Sequence, residues 1–103
     1  MLASAVALLN NIIFLNENGI LSLFDKKISS IEIIDNDFIV CTDLITNDII
    51  LLSYIGTEYN VVIPNKVTSI NSKAFYNSSI YSVVIPEKVN NIDYDAFSNC
   101  SNL

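Results

Sequence analysis

The chain has 103 residues, of which 51% are hydrophobic and 16% are charged, and its formal net charge is −6. This length fits a single domain, and the apolar fraction is large enough for a packed core. The chain has no arginine and no histidine. We therefore expect no nucleic-acid partner, because contacts to phosphates need a basic surface. An acidic surface also disfavours anionic membranes.

The amino-terminal residues are apolar but lack the order of a secretory signal. Residues 1–15 contain Ala3 and Ala5 on either side of a serine, a spacing typical of a cleavage site. A signal peptide begins with basic residues, whereas the first lysine here is Lys26. We therefore favour an internal strand or helix over a cleaved signal. No run reaches the roughly 18 apolar residues of a membrane span, so we expect no membrane insertion.

A β-hairpin is predicted next. Residues 12–15 and 20–24 are apolar, and the Asn-Gly pair between them favours the positive φ of a tight turn. Residues 27–31 then resemble residues 66–70, which indicates a degenerate copy of the repeat described below.

Two further strands are predicted at residues 38–40 and 49–52, on either side of a polar loop at residues 42–48. Isoleucine occurs 17 times and asparagine 14 times, a mixture that suits short strands separated by tight turns. We place no linker in the chain. Residues 1–48 are expected to form a β-rich N-terminal part that continues into the remainder.

The second half of the chain contains an internal repeat. Residues 61–79 recur as residues 83–101, a shift of 22 positions, and 11 of the 21 positions that can be compared are identical. A period of about 20–29 residues is typical of leucine-rich repeats, in which each repeat is one coil of a solenoid.

Each copy has the features of one coil. Residues 83–85 predict a short strand, and Pro86 ends it because proline has no N–H to donate. Val89 and Ile92 have the spacing of a helical or 3₁₀ turn that points both inward. Ala96 and Phe97 place a small residue, which lets coils approach, beside a ring that fills the interior.

Asparagines occupy the same turn position in both copies. The amides of Asn77 and Asn99 could hydrogen-bond free backbone groups at the bend. Both residues also begin N-x-S sequons, and glycosylation is the less favoured alternative. Ser78 and Cys100 share the next position, which indicates a need for a small residue. Cys41 and Cys100 do not make a disulfide framework, and we expect two small buried thiols.

The repeated pattern I-P-x-x-V-x-x-I-x-x-x-A-F-x-x-C-x-x-L resembles the BspA-like (Treponema-type) leucine-rich repeat. The second copy matches it at Pro86, Val89, Ile92, Ala96, Phe97, Cys100 and Leu103. The first copy matches at Pro64, Val67, Ile70, Ala74 and Phe75. It departs at Ser78, which replaces the cysteine, and at Ile80, which comes one residue early. The resemblance covers about residues 49–103.

The resemblance implies a β-rich fold with short helical turns, namely a leucine-rich-repeat solenoid. Residues 1–48 would be a degenerate repeat or a cap, and residues 49–103 would hold the repeats, with coils starting near residues 61 and 83. About three coils are needed for stability. Because two clear coils are present and no cap follows, we expect a truncated or degenerate array. Adjacent repeats of the same chain are then expected to pack against it.

No pattern in the chain predicts catalysis. Asp35, Asn36 and Asp37 lack the glycine and distal glutamate of a calcium loop and predict a turn. Asp93 and Asp95 are better explained as a solvated turn than as an acid–base pair. Without histidine there is no nucleophile–base pair, and there is no glycine-rich phosphate loop. We expect no enzyme, no cofactor and no metal site.

A partner-binding surface is predicted on the strands of the coils. If Val83 and Ile85 point inward, Ser82 and Val84 point outward. In the first copy, Asn60 and Val62 do the same. Solenoids use such a concave ladder of side chains for binding. Two exposed valines on successive rungs indicate an apolar stripe for a protein partner. The alternative is that β-branched residues simply favour strands.

The resemblance implies a surface or secreted adhesion-type protein that binds proteins or glycans. The alternative is a structural spacer or an intracellular interaction module of a larger protein. A third possibility, an enzyme domain outside this segment, has no support within it.

Overall fold

The computed structural model describes residues 14–15, 21–23 and 26–103. These residues form strands and turns, in the order β1 Phe14–Leu15, β2 Leu21–Leu23, β3 Lys26–Ile34, β4 Phe38–Asp43, β5 Ile49–Tyr54, β6 Asn60–Val62, β7 Ser69–Ile70, β8 Ser82–Val84 and β9 Asn91–Ile92. Seven of them form one sheet in the order β1-β2-β3-β4-β5-β7-β9, and β6 and β8 form a second sheet. The described residues contain no helix, and the predicted β-rich repeat fold is confirmed.

The first five strands form an antiparallel meander. The predicted hairpin is present, with Phe14 opposite Ser22, while its turn lies outside the described residues, as do residues 1–13. The strands predicted on either side of the polar loop are β4 and β5. The segment that resembles residues 66–70 lies in β3, which pairs antiparallel with β4 rather than stacking in parallel as the later coils do. Strand β3 has nine residues, which is long enough to pair along the whole of β4.

The two loops that follow β3 and β4 are tight turns. Asp35 and Asn36 have φ values of 55° and 61°, the left-handed region that short polar side chains tolerate, so the predicted turn forms there. In the next loop a carboxylate oxygen of buried Asp43 accepts hydrogen bonds from the backbone N–H groups of Ile45 and Thr46. These bonds satisfy donors that the turn would otherwise leave without partners.

In the second half of the chain, strands of successive repeats pair in parallel, and each residue lies opposite the one 22 positions later. In the smaller sheet Val61 pairs with Val83, and in the larger sheet Ile70 pairs with Ile92. Strand β5 joins the two architectures, because it pairs antiparallel with β4 on one side and parallel with β7 on the other.

The Val-x-x-Ile spacing has a different basis from the predicted helical turn. The backbone N–H of Val67 donates to the carbonyl of Pro64, which closes one turn, and Ile70 then lies in strand β7. Val67 and Ile70 are both buried, so they do point to the same side. In this coil a turn followed by a two-residue strand directs both side chains inward without a helix. One coil later Val89 is partly buried, whereas Ile92 is 44% exposed rather than buried as predicted.

The main core lies inside the coils and against one face of the meander. It includes Phe38, Val40, Leu51, Val61, Ile63, Val67, Ile70, Ala74, Phe75, Ile80 and Ala96. Through it runs a ladder of four rings. Phe38 contacts Tyr54, Tyr54 stacks on Phe75, and Phe75 stacks on Phe97, with centroids 5.3, 5.2 and 5.0 Å apart. The repeated aromatic position therefore continues into the meander through Tyr54.

The other face of the meander is also apolar. Ile39 and Cys41 of β4 alternate with the core-facing residues and are buried with Ile50 and Leu52 of β5. The predicted burial of the Cys41 thiol is therefore confirmed. Cys100 is only partly buried, and its thiol donates a hydrogen bond to the carbonyl of Phe75 at 3.0 Å.

Candidate functional site

The β6/β8 sheet presents its predicted outer face to solvent. Val61 and Ile63 are buried, whereas Val62 is 64% exposed, as period-two alternation requires. Val84, its partner one coil later, is 58% exposed. Asn60 and Ser82 are exposed as well. The structure therefore brings the four predicted residues together as two adjacent rungs, which we call the outer ladder.

The polar pair of the outer ladder is locked by a hydrogen bond between coils. The hydroxyl of Ser82 donates to the side-chain carbonyl of Asn60 at 2.8 Å. The backbone N–H of Ile63 also donates to the carbonyl of Val84 at 3.1 Å, and this bond helps to hold the two strands in register. The two valines are thus held side by side, next to a fixed polar pair.

Two tyrosines precede the strands of the outer ladder. Tyr59 and Tyr81 are each 55% exposed, and their rings stack with centroids 5.0 Å apart and planes 20° from parallel. The backbone N–H of Tyr81 donates to the carbonyl of Tyr59 at 2.7 Å, so the main chain also holds the pair together. The prediction from sequence missed these residues. They are 22 positions apart, and extending the repeat two residues upstream of Val61 would have found them.

An open cleft of about 440 Å³ lies between the loop after β5 and the turns of the first coil. Its residues are Tyr54, Gly56, Thr57, Glu58, Tyr59, Phe75, Tyr76, Asn77, Ser78 and Ser79. Its volume falls within the range of about 300–1,000 Å³ that is usual for small-molecule sites. No sequence pattern pointed to the cleft, because its two walls are far apart in the chain.

The loop wall of the cleft is held by Tyr54. The backbone N–H of Glu58 donates to the Tyr54 hydroxyl at 2.9 Å. Burial raises the pKa of the Tyr54 phenol above 10.0, the charges of Asp37 and Glu58 act in the same direction, and the hydrogen bond with the Glu58 backbone opposes them. Gly56 lies so close to the ring that an added Cβ would be 2.6 Å from the Tyr54 oxygen. The loop therefore depends on glycine at this position.

The turn wall of the cleft has its own conformational requirement. Asn77 has a φ of 59°, and Asn99 one coil later has a φ of 61°. Asparagine tolerates this left-handed backbone better than most residues, which explains its recurrence. The backbone N–H of Asn77 donates to the carbonyl of Ser98, so this turn also bonds to the next coil.

Asp93 and Asp95, the two carboxylates considered above for acid–base chemistry, lie in the turn that follows β9. One carboxylate oxygen of Asp93 accepts a hydrogen bond from the backbone N–H of Ser72 at 2.9 Å, which ties the two coils together. One oxygen of Asp95 is buried and has no hydrogen-bond partner among the described residues. Within residues 14–15, 21–23 and 26–103, no cluster of acidic and cysteine side chains could hold a metal ion. The same residues include no helix with the length and apolar character of a membrane span.

Comparison with known proteins identifies a family. No curated protein matches the chain. The model of the BspA type leucine rich repeat region matches residues 9–103, in six copies. The match begins well before residue 49, where the resemblance in the sequence starts, and it covers the antiparallel meander too. Proteins with leucine-rich repeats generally act as scaffolds for protein interaction. This chain belongs to the BspA-type leucine-rich-repeat family.

Proposed function

We propose that the chain is a binding scaffold and not an enzyme, and that its outer ladder binds a protein partner in a surface or secreted adhesion-type protein. The observation that carries this proposal is the exposure of Val62 and Val84 on adjacent rungs. Family membership supports both the scaffold role and the surface location.

The energetics of the outer ladder favour a protein ligand. Two valines, each more than half exposed, would bury apolar area against a partner, at about 25 cal/mol for each Å² removed from water. The Ser82–Asn60 bond fixes the polar part of the ladder before binding, so less side-chain freedom is lost on association. With a net charge of −6, the chain would approach most readily a partner that carries basic groups around an apolar patch.

The test is a double substitution of Val62 and Val84 by lysine, followed by binding to immobilised host and extracellular-matrix proteins. We expect at least a tenfold loss of affinity, about 1.4 kcal/mol, because the charges would have to be desolvated at the interface. The matched control replaces Ile45 and Tyr94, which are 75% and 100% exposed, by lysine. It adds the same charge away from the outer ladder and should leave binding unchanged.

Two results would count against the proposal. One is unchanged binding by the outer-ladder variant when circular dichroism and urea unfolding show an intact fold. The other is an equal loss in the control, which would indicate a general effect of charge. Either result would favour the alternative role of a spacer that positions another domain.

A further inference from the structure

We infer that the open cleft beside Tyr59 is a binding site for a neutral saccharide. This inference concerns a different surface from the outer ladder and does not depend on a protein partner there. It rests on two exposed rings at the cleft, on the uncharged polar groups between them, and on the rigidity of both walls.

The two rings offer flat apolar surfaces. Tyr59 is 55% exposed and Tyr76 is 45% exposed, and both line the cleft. Each ring is already supported, Tyr59 by stacking on Tyr81 and Tyr76 by the Lys73 ammonium 5.3 Å from its centroid. The face of an aromatic ring is electron-rich, so it attracts the C–H bonds on the flat side of a pyranose. Because the rings are held in place, little freedom is lost on binding.

The polar groups of the cleft suit a ligand that is covered with hydroxyl groups. The side chains of Thr57, Asn77 and Ser79 make no hydrogen bond to any other residue that the structure describes. They supply two hydroxyls and an amide, which can both donate and accept hydrogen bonds. A saccharide has the same dual character along its whole edge, whereas an apolar ligand would leave these groups without partners.

The charges of the cleft argue against two other ligands. Among the residues that the structure describes, Glu58 is the only charged one that lines the cleft, and its carboxylate would repel phosphate and acidic sugars, whereas the nearby Lys73 ammonium is engaged on the Tyr76 ring. A quaternary ammonium ion would be attracted to Glu58, but such ions are bound by several ring faces that form a cage. Here Tyr54 and Phe75 stack on each other inside the ring ladder, and only Tyr59 and Tyr76 have rings that are substantially exposed.

The test is a titration of the ¹⁵N-labelled chain with maltotriose, cellotriose and N,N′,N″-triacetylchitotriose, with choline and sialyllactose as comparison ligands. We expect at least one neutral trisaccharide to bind with a dissociation constant of about 1 mM or lower. Its amide shift changes should be confined to the two walls of the cleft, residues 56–59 and 76–79. Choline and sialyllactose should bind more weakly.

Variants make the assignment specific. Tyr59→Ala and Tyr76→Ala should each weaken binding at least fivefold, whereas Tyr94→Ala removes a fully exposed ring elsewhere and should leave it unchanged. Asn77→Ala would strain the turn, because Asn77 has a φ of 59°. Ser79→Ala is therefore the variant for the polar groups, with an expected two- to threefold loss. The Val62 and Val84 lysine variant should bind the saccharide normally, which separates this site from the outer ladder.

The inference is overturned if no neutral trisaccharide shifts the amides of the cleft at about 20 mM, well above the expected dissociation constant. It is also overturned if choline binds more tightly than every saccharide, or if both tyrosine variants bind as the original chain does. Thermal unfolding of each variant shows whether the fold is intact. If one tyrosine variant is unfolded, the other variant and the shift map decide the outcome.

Discussion

Replacing Phe75 by alanine tests the ring ladder on which the packing of the coils depends. The ring is 1% exposed and stacks on Tyr54 on one side and on Phe97 on the other, at 5.2 and 5.0 Å. Truncating a fully buried phenylalanine costs about 3–5 kcal/mol, and ring pairs add about 0.5–1.5 kcal/mol beyond burial. We therefore expect a loss of about 4 kcal/mol in the free energy of unfolding.

The position of each ring predicts an order of effects. Phe97 is only partly buried and stacks on Phe75 alone among the described rings, so Phe97→Ala should cost about 2 kcal/mol. Phe75→Leu keeps most of the volume and should cost about 1–2 kcal/mol. This milder variant is needed because domains of this size are stable by only about 5–15 kcal/mol. Tyr94→Ala, at a fully exposed position, should stay within about 0.5 kcal/mol of the original chain.

The measurement is urea unfolding followed by circular dichroism, with the slope fitted freely for each variant. With a slope of about 2 kcal/mol per molar urea, a loss of 4 kcal/mol lowers the midpoint by about 2 M. A loss below about 1 kcal/mol for Phe75→Ala would mean that the ring does not pack as described. A larger loss for Phe97 than for Phe75 would refute the order of burial along the ladder.

Two further predictions concern the loop after β5. Gly56→Ala should destabilise the chain by about 1–3 kcal/mol, because its new Cβ would lie 2.6 Å from the oxygen of Tyr54, whose ring is held by Phe38 and Phe75. Thr57→Ala is the control, and an equal loss in both would exclude the contact as the cause. The pKa of Tyr54 is raised in the folded chain, whereas the unfolded phenol ionises near 10.0. The free energy of unfolding should therefore fall as the pH rises above about 10, and Tyr54→Phe should make this fall less steep. Equal slopes for the two proteins between roughly pH 9.5 and 11 would contradict this linkage.

Much of the coil architecture could be predicted from local patterns. The 22-residue period predicts the offset at which β6 pairs with β8, since equivalent residues of a solenoid stack directly. Period-two alternation likewise predicts that Val62 faces solvent while Val61 faces the core. The four residues of the outer ladder followed from these two rules, although their role in binding stays a prediction.

Other features depended on contacts that no local pattern reveals. The resemblance of residues 27–31 to residues 66–70 did not reveal how this segment pairs, because β3 runs antiparallel along the length of β4 while the later coils pair in parallel. The strand Ser69–Ile70 is two residues long and was not predicted, since so short a strand forms only through pairing with β5 and β9. The cleft also escaped prediction, because its walls meet only when the loop after β5 folds over Tyr54.

The amino-acid sequence by itself determined the repeat, its period, the family and the alternation of buried and exposed residues. These properties depend on residue types at fixed spacing, and the physics that interprets them is local. Only the tertiary structure decided that Tyr54 extends the ring ladder, that Tyr59 stacks on Tyr81, and that a cleft opens beside them. These depend on how one coil packs against the next, and packing is a property of three-dimensional neighbours rather than of spacing along the chain.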